Sequence, residues 1–256
     1  AEANQQLEQA RKKAEQAHVK KSQYLKAVSH DLMQPLEAAR LFTSALAGQQ
    51  GLNPEQQRQV GKINDSLKVA NDLLANLGEI ARIESGNIKP QAESFCLMEL
   101  FDELAQDFSA YIEQQQVTFR LVNTQVWVKT DRHLLRRILQ NLLGNAIRYA
   151  SPGKVLLGVR RKSGGIQIQV LDNGPGIPTD KQHRVFEQFT QLNSDNKESA
   201  KGLGLGLNIT RSLAEILQHP LQLSSVEGQG CAFSIQVPES VPNLAVARPQ
   251  VSAQIS

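Results

Sequence analysis

Three polar side chains share one face of the segment QNLLGNAIRY, residues 140–149. Asn141, Asn145 and Arg148 are spaced by four and three residues, so a helix places them on one stripe while apolar residues pack on the opposite face. Mg²⁺ takes oxygen ligands and arginine supports phosphate charge, so the stripe suits a metal ion with its phosphates. For any one of the three taken alone, a solvated helix face is the simpler interpretation.

Two glycine-rich segments follow with chemistry that suits a nucleotide. In LDNGPGIP, Asp172 ends an apolar strand and can accept a hydrogen bond from an exocyclic amine, while Gly174 and Gly176 let the backbone approach a flat ligand closely. In GLGLGL, residues 202–207, the glycines open a helix whose N–H groups can bind phosphate. Alone, the first is as typical of a turn, and the second is also ambiguous. The polar stretch between them, residues 188–201, is long enough for a mobile lid.

A proline interrupts another segment that otherwise reads as helix, VSHDLMQP at residues 28–35. An interior proline costs a helix about 3 kcal/mol, because it lacks the N–H and its ring crowds the carbonyl four residues back. Pro35 removes the N–H that would reach the Asp31 carbonyl, so the helix should bend or loosen there. His30 and Gln34 lie on nearly one face, about 40° apart, with Asp31 about 100° from His30. A surface histidine near a tolerated kink is the plain alternative.

Taken together and in this order, the segments resemble the motifs of a sensor histidine kinase. NLLGNAIRY, DNGPGIP, VFEQF and GLGLGL look like the asparagine, first glycine, phenylalanine and second glycine boxes of its ATP-binding domain. SHDLMQP looks like the phosphoacceptor box, and EIARIESG resembles the close of the second dimerisation helix. The likeness covers residues 22–238. It implies a dimeric histidine-phosphotransfer hairpin followed by a Bergerat-type α/β sandwich that binds ATP and Mg²⁺.

The resemblance also implies roles for individual residues. His30 is the expected phosphoacceptor, Asp31 its general base, Asn145 the Mg²⁺ ligand with Asn141 beside it, and Asp172 the reader of the adenine amine. Phe186 and Phe189 would anchor the lid, for which simple core packing is an equally good interpretation. The full set expected around the nucleotide is Asn141, Asn145, Arg148, Tyr149, Asp172, Gly174, Gly176, Ile177, Phe189, Lys201, Gly202, Leu203, Gly204, Leu205 and Gly206.

The phosphoacceptor box departs from the common pattern of the family. His-Asp replaces His-Glu, and Gln34 precedes the proline where Thr or Asn is common. A carboxylate beside the histidine can hold the proton of one ring nitrogen and leave the other bare for attack, and Asp31 is placed to do so. In family members with phosphatase activity the position of Gln34 orients water, which an amide can do. HDxxQP boxes look like those of hybrid kinases, in which a receiver domain follows.

Two other classes of protein share parts of this pattern. An ATP-hydrolysing clamp of the chaperone and mismatch-repair type typically carries Glu where this chain has Asn141, because an activated water needs a proton acceptor. An amide cannot serve in that way, which favours transfer to His30. A non-catalytic dimeric scaffold with a relic site is the other alternative. Intact Asn145, Asp172 and glycine segments argue against it.

The elements that must position these residues begin with helices. A weak heptad predicts a coiled-coil signalling helix at residues 1–21, and a dimerisation and phosphotransfer hairpin is expected at 22–86. In GQQGLNP, Asn53 suits a helix cap and Pro54 a first helical turn. A hairpin alone leaves an apolar stripe facing water, so we expect two copies to form a four-helix bundle. A hairpin folded onto its own C-terminal domain is the alternative.

From Ile88 onward the pattern changes to mixed α/β, and the expected fold is a mixed sheet with helices on one face. The catalytic ATP-binding domain is expected at residues 87–238, followed by a linker-like tail at 239–256. The expected elements are helices at 97–112, 131–149 and 210–217 and strands at 117–121, 126–128, 155–159, 166–170, 221–223 and 233–237. The pair at 155–159 and 166–170 reads as a hairpin around SGG.

Composition limits the partners. The 256 residues carry 28 basic and 25 acidic side chains with no basic patch, so nucleic acid is not expected. No apolar run approaches about 18 residues. We expect a cytoplasmic chain, and its first residue, Ala, suggests an excised fragment whose parent could hold a membrane segment. Cys96 and Cys231 lack metal-ligand spacing and are expected as packed thiols. The expected partners are a second copy and a receiver domain, separate or fused downstream.

Overall fold

The structure is a computed structural model that describes residues 28–29, 31–48, 52–86, 88–190 and 204–242. The heptad at 1–21 and the residues His30, Lys201, Gly202 and Leu203 lie outside the described residues. The described residues form two compact units. One holds the helices up to Lys89 together with the described part of Arg184–Ser212, and the other holds Pro90–His183 and the residues from Leu213 onward.

The helical unit contains two antiparallel helices. Helix α1 is described at residues 28–29 and without interruption at 31–47, so the helical assignment continues through Pro35. Whether the axis bends there stays a prediction. The side chain of Ser29 lies against Gly78, and Asn71 donates a hydrogen bond of 3.1 Å to Glu37, so residue numbers rise along one helix as they fall along the other.

Helix α2, Pro54–Glu84, begins as the sequence predicted. Asn53 caps it by accepting a hydrogen bond of 2.8 Å from the Gln56 N–H, while the Gln56 side chain accepts one from the Asn53 N–H. Pro54 occupies the first turn, where its missing N–H has no helical partner to lose. The helix ends at the Ser85 cap, and Gly86 follows with φ +66°.

The α/β unit contains a mixed sheet of five strands. The strands are β2 Val117–Leu121, β4 Gly153–Lys162, β5 Gly165–Asp172, β6 Leu221–Val226 and β7 Gly230–Val237, in the order β2-β4-β5-β7-β6. Strand β2 pairs with β4 in parallel and the other pairs are antiparallel. The predicted hairpin at residues 155–170 is confirmed, with longer strands.

Helices α3, Leu97–Gln114, and α4, Arg132–Tyr149, supply the apolar layer of this unit. The strand residues Ile166, Ile168 and Val170 are fully buried, as their alternation requires. The predicted α/β architecture is confirmed. The fully buried apolar residues of α3 and α4 include Leu100, Phe101, Leu104, Leu135, Ile138, Leu139, Leu142, Leu143 and Ile147.

A second, three-stranded sheet departs from the sequence prediction. Its order is β1-β3-β8, with β1 Glu93–Cys96, β3 Trp127–Thr130 and β8 Glu239–Ser240. Strand β1 was not predicted, and β3 begins one residue later than expected. The linker-like tail expected from Glu239 instead begins as a strand that pairs with Trp127 and Val128. A strand of two residues, such as β8, is too short to show a periodicity in the sequence, so it is recognised only by its pairing with β3.

Helix α5, Gly206–Ile216, begins four residues before the predicted start, at the end of the second glycine segment. Cys96 and Cys231 are free thiols, and both are half-buried. Among the residues that the structure describes, no helix combines the length and the apolar character that a membrane crossing requires.

Candidate nucleotide site

Asp172 is the last residue of β5 and is partly buried. Its Oδ1 accepts hydrogen bonds from two backbone N–H groups, that of Gly174 at 2.9 Å and that of Cys231 at 3.3 Å. Burial raises the pKa of the Asp172 carboxyl, and the two N–H donors oppose that rise. Among the described residues no group donates to Oδ2. The carboxylate is therefore held by one oxygen and offers the other as an acceptor.

The turn after β5 approaches the strand pair β6–β7 at several points. The Ser225 hydroxyl accepts the Ile177 N–H at 2.8 Å, and the Pro175 carbonyl accepts the Gly228 N–H at 2.7 Å. Gly176 has φ +69°, and a side chain there would overlap the Val226 carbonyl. Only glycine satisfies both conditions. Ile177 is buried at the end of this turn.

Helix α4, which carries the predicted polar stripe, ends beside this turn. Asp131 caps the helix, accepting the Leu134 N–H at 3.0 Å and the Gln91 N–H at 2.8 Å. At the other end the Tyr149 carbonyl lies so close to Gly174 that a Cβ on the glycine would be 2.8 Å from its oxygen. The end of α4 and the Asp172 turn are thus in contact.

The predicted stripe residues are placed differently with respect to solvent. Asn141, Asn145 and Arg148 are half-buried, whereas the Tyr149 side chain is 46% exposed. Among the described residues the Asn145 amide has no hydrogen-bond partner, so its oxygen is available to a ligand. The same part of the chain holds no cluster of His, Cys, Asp and Glu that could bind a metal ion.

The residues predicted for the lid and the second glycine segment belong to the other unit. Phe189 has φ +61° and is 62% exposed, and the Phe186 carbonyl accepts a hydrogen bond of 3.0 Å from the Asn208 side chain. Gly204 lies against the Thr190 backbone, Leu205 is buried and Gly206 is the first residue of α5.

The described part of the phosphoacceptor box lies on α1. Asp31, Gln34 and Pro35 are all exposed helical residues. Solvent and a partner can therefore reach their side chains.

Three residues around the Asp172 turn were missed by sequence reasoning. Ser225, Gln182 and Cys231 contact the turn through hydrogen bonds, yet none belongs to a motif. One signal was present for Ser225. Along β6 its burial alternates in step with Leu221 and Leu223, so a polar residue stands on an otherwise apolar face.

A mixed five-stranded sheet covered by α3 and α4, with a carboxylate and a glycine turn at one strand end, is typical of a nucleotide-binding α/β sandwich. Two family models match the chain. Residues 20–86 match the His Kinase A (phospho-acceptor) domain, and residues 130–241 match the histidine kinase-, DNA gyrase B- and HSP90-like ATPase family.

Individual relatives agree with both models. The chain is 32% identical over 245 residues to the circadian input-output histidine kinase CikA of Synechococcus elongatus, covering 93% of this chain and 32% of that protein. It is 32% identical over 249 residues to the autoinducer 2 sensor kinase/phosphatase LuxQ of Vibrio cholerae, covering 93% of this chain and 28% of that protein. The crystal structure of full-length ShkA in complex with AMPPNP superposes with a TM-score of 0.70 at 25% identity, over 86% of this chain and 46% of that one.

The chain belongs to the sensor histidine kinases and corresponds to their catalytic core. It spans about a third of the length of these curated relatives. The family resemblance drawn from the sequence motifs is thereby confirmed.

Proposed function

We propose that this core binds ATP at Asp172 and transfers the γ-phosphate to His30. The observation that carries the proposal is the geometry of Asp172, whose Oδ1 is held by two N–H groups while Oδ2 is left as an acceptor. An exocyclic amine is the donor that such an oxygen suits. The adenine-nucleotide analogue bound to the relative ShkA supports the same choice of ligand.

The reaction would form a P–N bond to His30 as the bond between the γ-phosphorus and the β–γ bridging oxygen breaks, releasing ADP. The imidazole must begin neutral with one nitrogen bare, and the proton on its other nitrogen passes to the Asp31 carboxylate. Asp31 is exposed on α1 and follows His30 directly. We propose an aspartate of a receiver domain as the next phosphate acceptor, after which His30 returns to its free state.

Mg²⁺ is the metal that the α4 stripe suits. Asn145 would hold it through the amide oxygen, with Asn141 beside it and Arg148 supporting phosphate charge. The ion would neutralise charge on the phosphates during transfer. The amide oxygens of Asn141 and Asn145 are the only oxygen ligands of the stripe, which fits a hard cation that keeps several waters and phosphate ligands.

A phosphatase activity that uses Gln34 is a second candidate. Gln34 is exposed on α1 and follows His30 by four positions in the sequence, so its amide could orient a water towards a phospho-aspartate. The relative LuxQ is named a sensor kinase/phosphatase. Gln34→Ala should then slow the dephosphorylation of a phosphorylated receiver while leaving the labelling of His30 unchanged.

We also propose that the core acts as a homodimer. Phe42 is 75% exposed and Leu41 63% exposed on α1, and Ile63 is 51% exposed on α2. Apolar side chains of this size on both helices of a hairpin suit burial in a four-helix bundle formed with a second copy. Sedimentation equilibrium should give twice the mass of the chain.

The experiment that tests the main proposal is incubation with γ-labelled ATP and Mg²⁺, scoring acid-labile, base-stable phosphate on the protein. Wild type should be labelled and His30→Gln should not. His133→Gln, which removes an exposed histidine of α4, is the matched control and should be labelled like wild type. Label that survives in His30→Gln would refute the assignment of the acceptor, and an unlabelled wild type would refute the kinase activity of this core.

A further inference from the structure

We propose that Ser225, together with Gln182, is a positioning residue for the nucleotide base. The inference rests on the proposed ATP site and deepens it, because it assigns the control of base recognition to residues outside the glycine turn. The strand pair β6–β7 and the short segment before Arg184 would set where Ile177 and the Asp172 carboxylate stand.

The hydroxyl of Ser225 uses every hydrogen-bonding capacity that it has. Its oxygen accepts the Ile177 N–H at 2.8 Å, lies 2.8 Å from the Gly230 carbonyl and lies 3.3 Å from the Cys231 sulfur. A carbonyl can only accept, so the single hydroxyl hydrogen of Ser225 must point to Gly230. The Cys231 thiol must then donate to Ser225. Burial raises the pKa of this thiol, which keeps it in the donating form.

Gln182 holds the other side of the same peptide. Its amide nitrogen donates to the Ile177 carbonyl and to the Ser225 carbonyl, each at 2.9 Å. The N–H of Ile177 is thus bound by the Ser225 side chain, and the C=O of Ile177 is bound by Gln182. Because the same glutamine also grips the backbone of Ser225, the two residues clamp the end of the glycine turn onto β6.

The clamp is connected to the carboxylate through Cys231. The Cys231 side chain donates to Ser225, and the Cys231 N–H donates to Asp172 Oδ1. Since Oδ1 is fixed in this way, Oδ2 is the oxygen left to face the base. Removing the Ser225 hydroxyl would leave the Ile177 N–H, the Gly230 carbonyl and the Cys231 thiol without this partner. The positions of the glycine turn and of the Asp172 carboxylate would then be less well fixed.

The test is an equilibrium titration of the full chain with Mg-ATP and with purine riboside triphosphate, which lacks the exocyclic amine. Ser225→Ala should raise the Kd for ATP about tenfold. Its effect on purine riboside triphosphate should be smaller, because that ligand never uses Oδ2 of Asp172. Ser224→Ala is the matched control, since its exposed side chain lies on the opposite face of β6, and both of its Kd values should equal those of wild type.

A second variant covers the case in which Ser225→Ala does not fold, as judged by circular dichroism. Gln182→Leu keeps the bulk of the side chain, removes both donors and should also reduce the preference for ATP over purine riboside triphosphate. Unchanged ATP affinity in the folded variants, with wild type binding ATP, would overturn this inference and leave the proposed function intact. Equal losses for both ligands would also overturn it. A wild type that binds neither ligand would overturn the proposed function and this inference with it.

Discussion

Replacing Asp172 by Asn should reverse which purine the site prefers. The asparagine oxygen would take the place of Oδ1, because the Gly174 and Cys231 N–H groups both point there and a flipped amide would set donor against donor. The amide NH₂ must then stand where Oδ2 stands now. It would oppose the exocyclic amine of adenine, but it could donate to the carbonyl of hypoxanthine.

The size of the effect follows from the same geometry. A hydrogen bond to a charged group contributes about 1.5–3 kcal/mol, and an amine left facing another donor costs about 1–3 kcal/mol more. The two contributions sum to about 2.5–6 kcal/mol, and a value near the lower limit, about 3 kcal/mol, already corresponds to a loss of more than about a hundredfold in affinity for ATP. Inosine triphosphate should bind Asp172→Asn more tightly than wild type, since it gains an NH₂ donor and leaves no buried charge facing its carbonyl.

Although Asp172→Asn should weaken ATP binding, it should not destabilise the ligand-free protein. Burial places the folded pKa of Asp172 above its unfolded value, so the folded state holds the proton over a pH range in which the unfolded state has lost it. Stability is therefore lost as pH rises from the unfolded pKa through the raised folded pKa of Asp172. Because asparagine removes the charge, the variant should unfold at the same temperature as wild type or higher.

The assay is a titration with ATP and inosine triphosphate combined with thermal unfolding at pH 7. Asp180→Asn, which changes an exposed carboxylate in a short 3₁₀ turn of the same unit, is the control and should alter neither property. An Asp172→Asn protein that keeps its preference for ATP would refute the assignment of Oδ2 to the exocyclic amine. A protein that unfolds at a markedly lower temperature would refute the view that the ionised carboxylate weakens the fold.

Three further predictions concern other parts of the chain. Asn53→Ala removes the cap of α2 and should lower the unfolding free energy by about 1 kcal/mol in urea denaturation, whereas no change would mean that the cap is dispensable. Gly230→Ala should abolish folding or ATP binding, because φ is +100° and its Cβ would overlap the backbone of β5, while Gly228→Ala, with φ +77° and open space, should cost only about 1 kcal/mol. Similar losses in the two glycine variants would contradict the steric argument. His219 is buried, its ring lies 2.7 Å from the Thr130 hydroxyl, and burial lowers its pKa. The unfolded state therefore binds more protons than the folded state as pH falls below about 6.5, and the unfolding free energy decreases. His219→Gln should flatten this pH dependence between about pH 7 and 5 in denaturant titrations, and an unchanged slope would exclude His219 as its source.

Elements with strong local signals could be predicted from the sequence. Helix α2 begins at Pro54 after the Asn53 cap, because asparagine favours the cap position and proline favours the first helical turn. Helix α4 carries seven buried apolar residues at helical spacing. The β4–β5 pair is likewise signalled locally by alternation around SGG. Each of these elements is determined by residues within it or next to it in the sequence, so its type and approximate position can be predicted from the sequence.

The second sheet and the clamp around Ile177 depend on distant partners instead. Strand β1 contributes only the buried Phe95, and β8 consists of two residues, so neither carries a pattern that differs from a loop. Ser225 meets Ile177 across 48 residues and Cys231 meets Asp172 across 59. Such pairs arise from sheet topology, which periodicity does not encode.

The short strand β8 has a consequence for how the protein behaves when it is cut. Glu239 and Ser240 cover part of the outer edge of β3, and the Ser240 hydroxyl donates to Ser94 on β1 at 2.8 Å. A chain ending at Pro238 would keep the five-stranded sheet but leave the backbone of β3 open on that side. Open strand edges can pair with strands of other molecules, so a chain shortened to Pro238 should aggregate more readily than the longer chain.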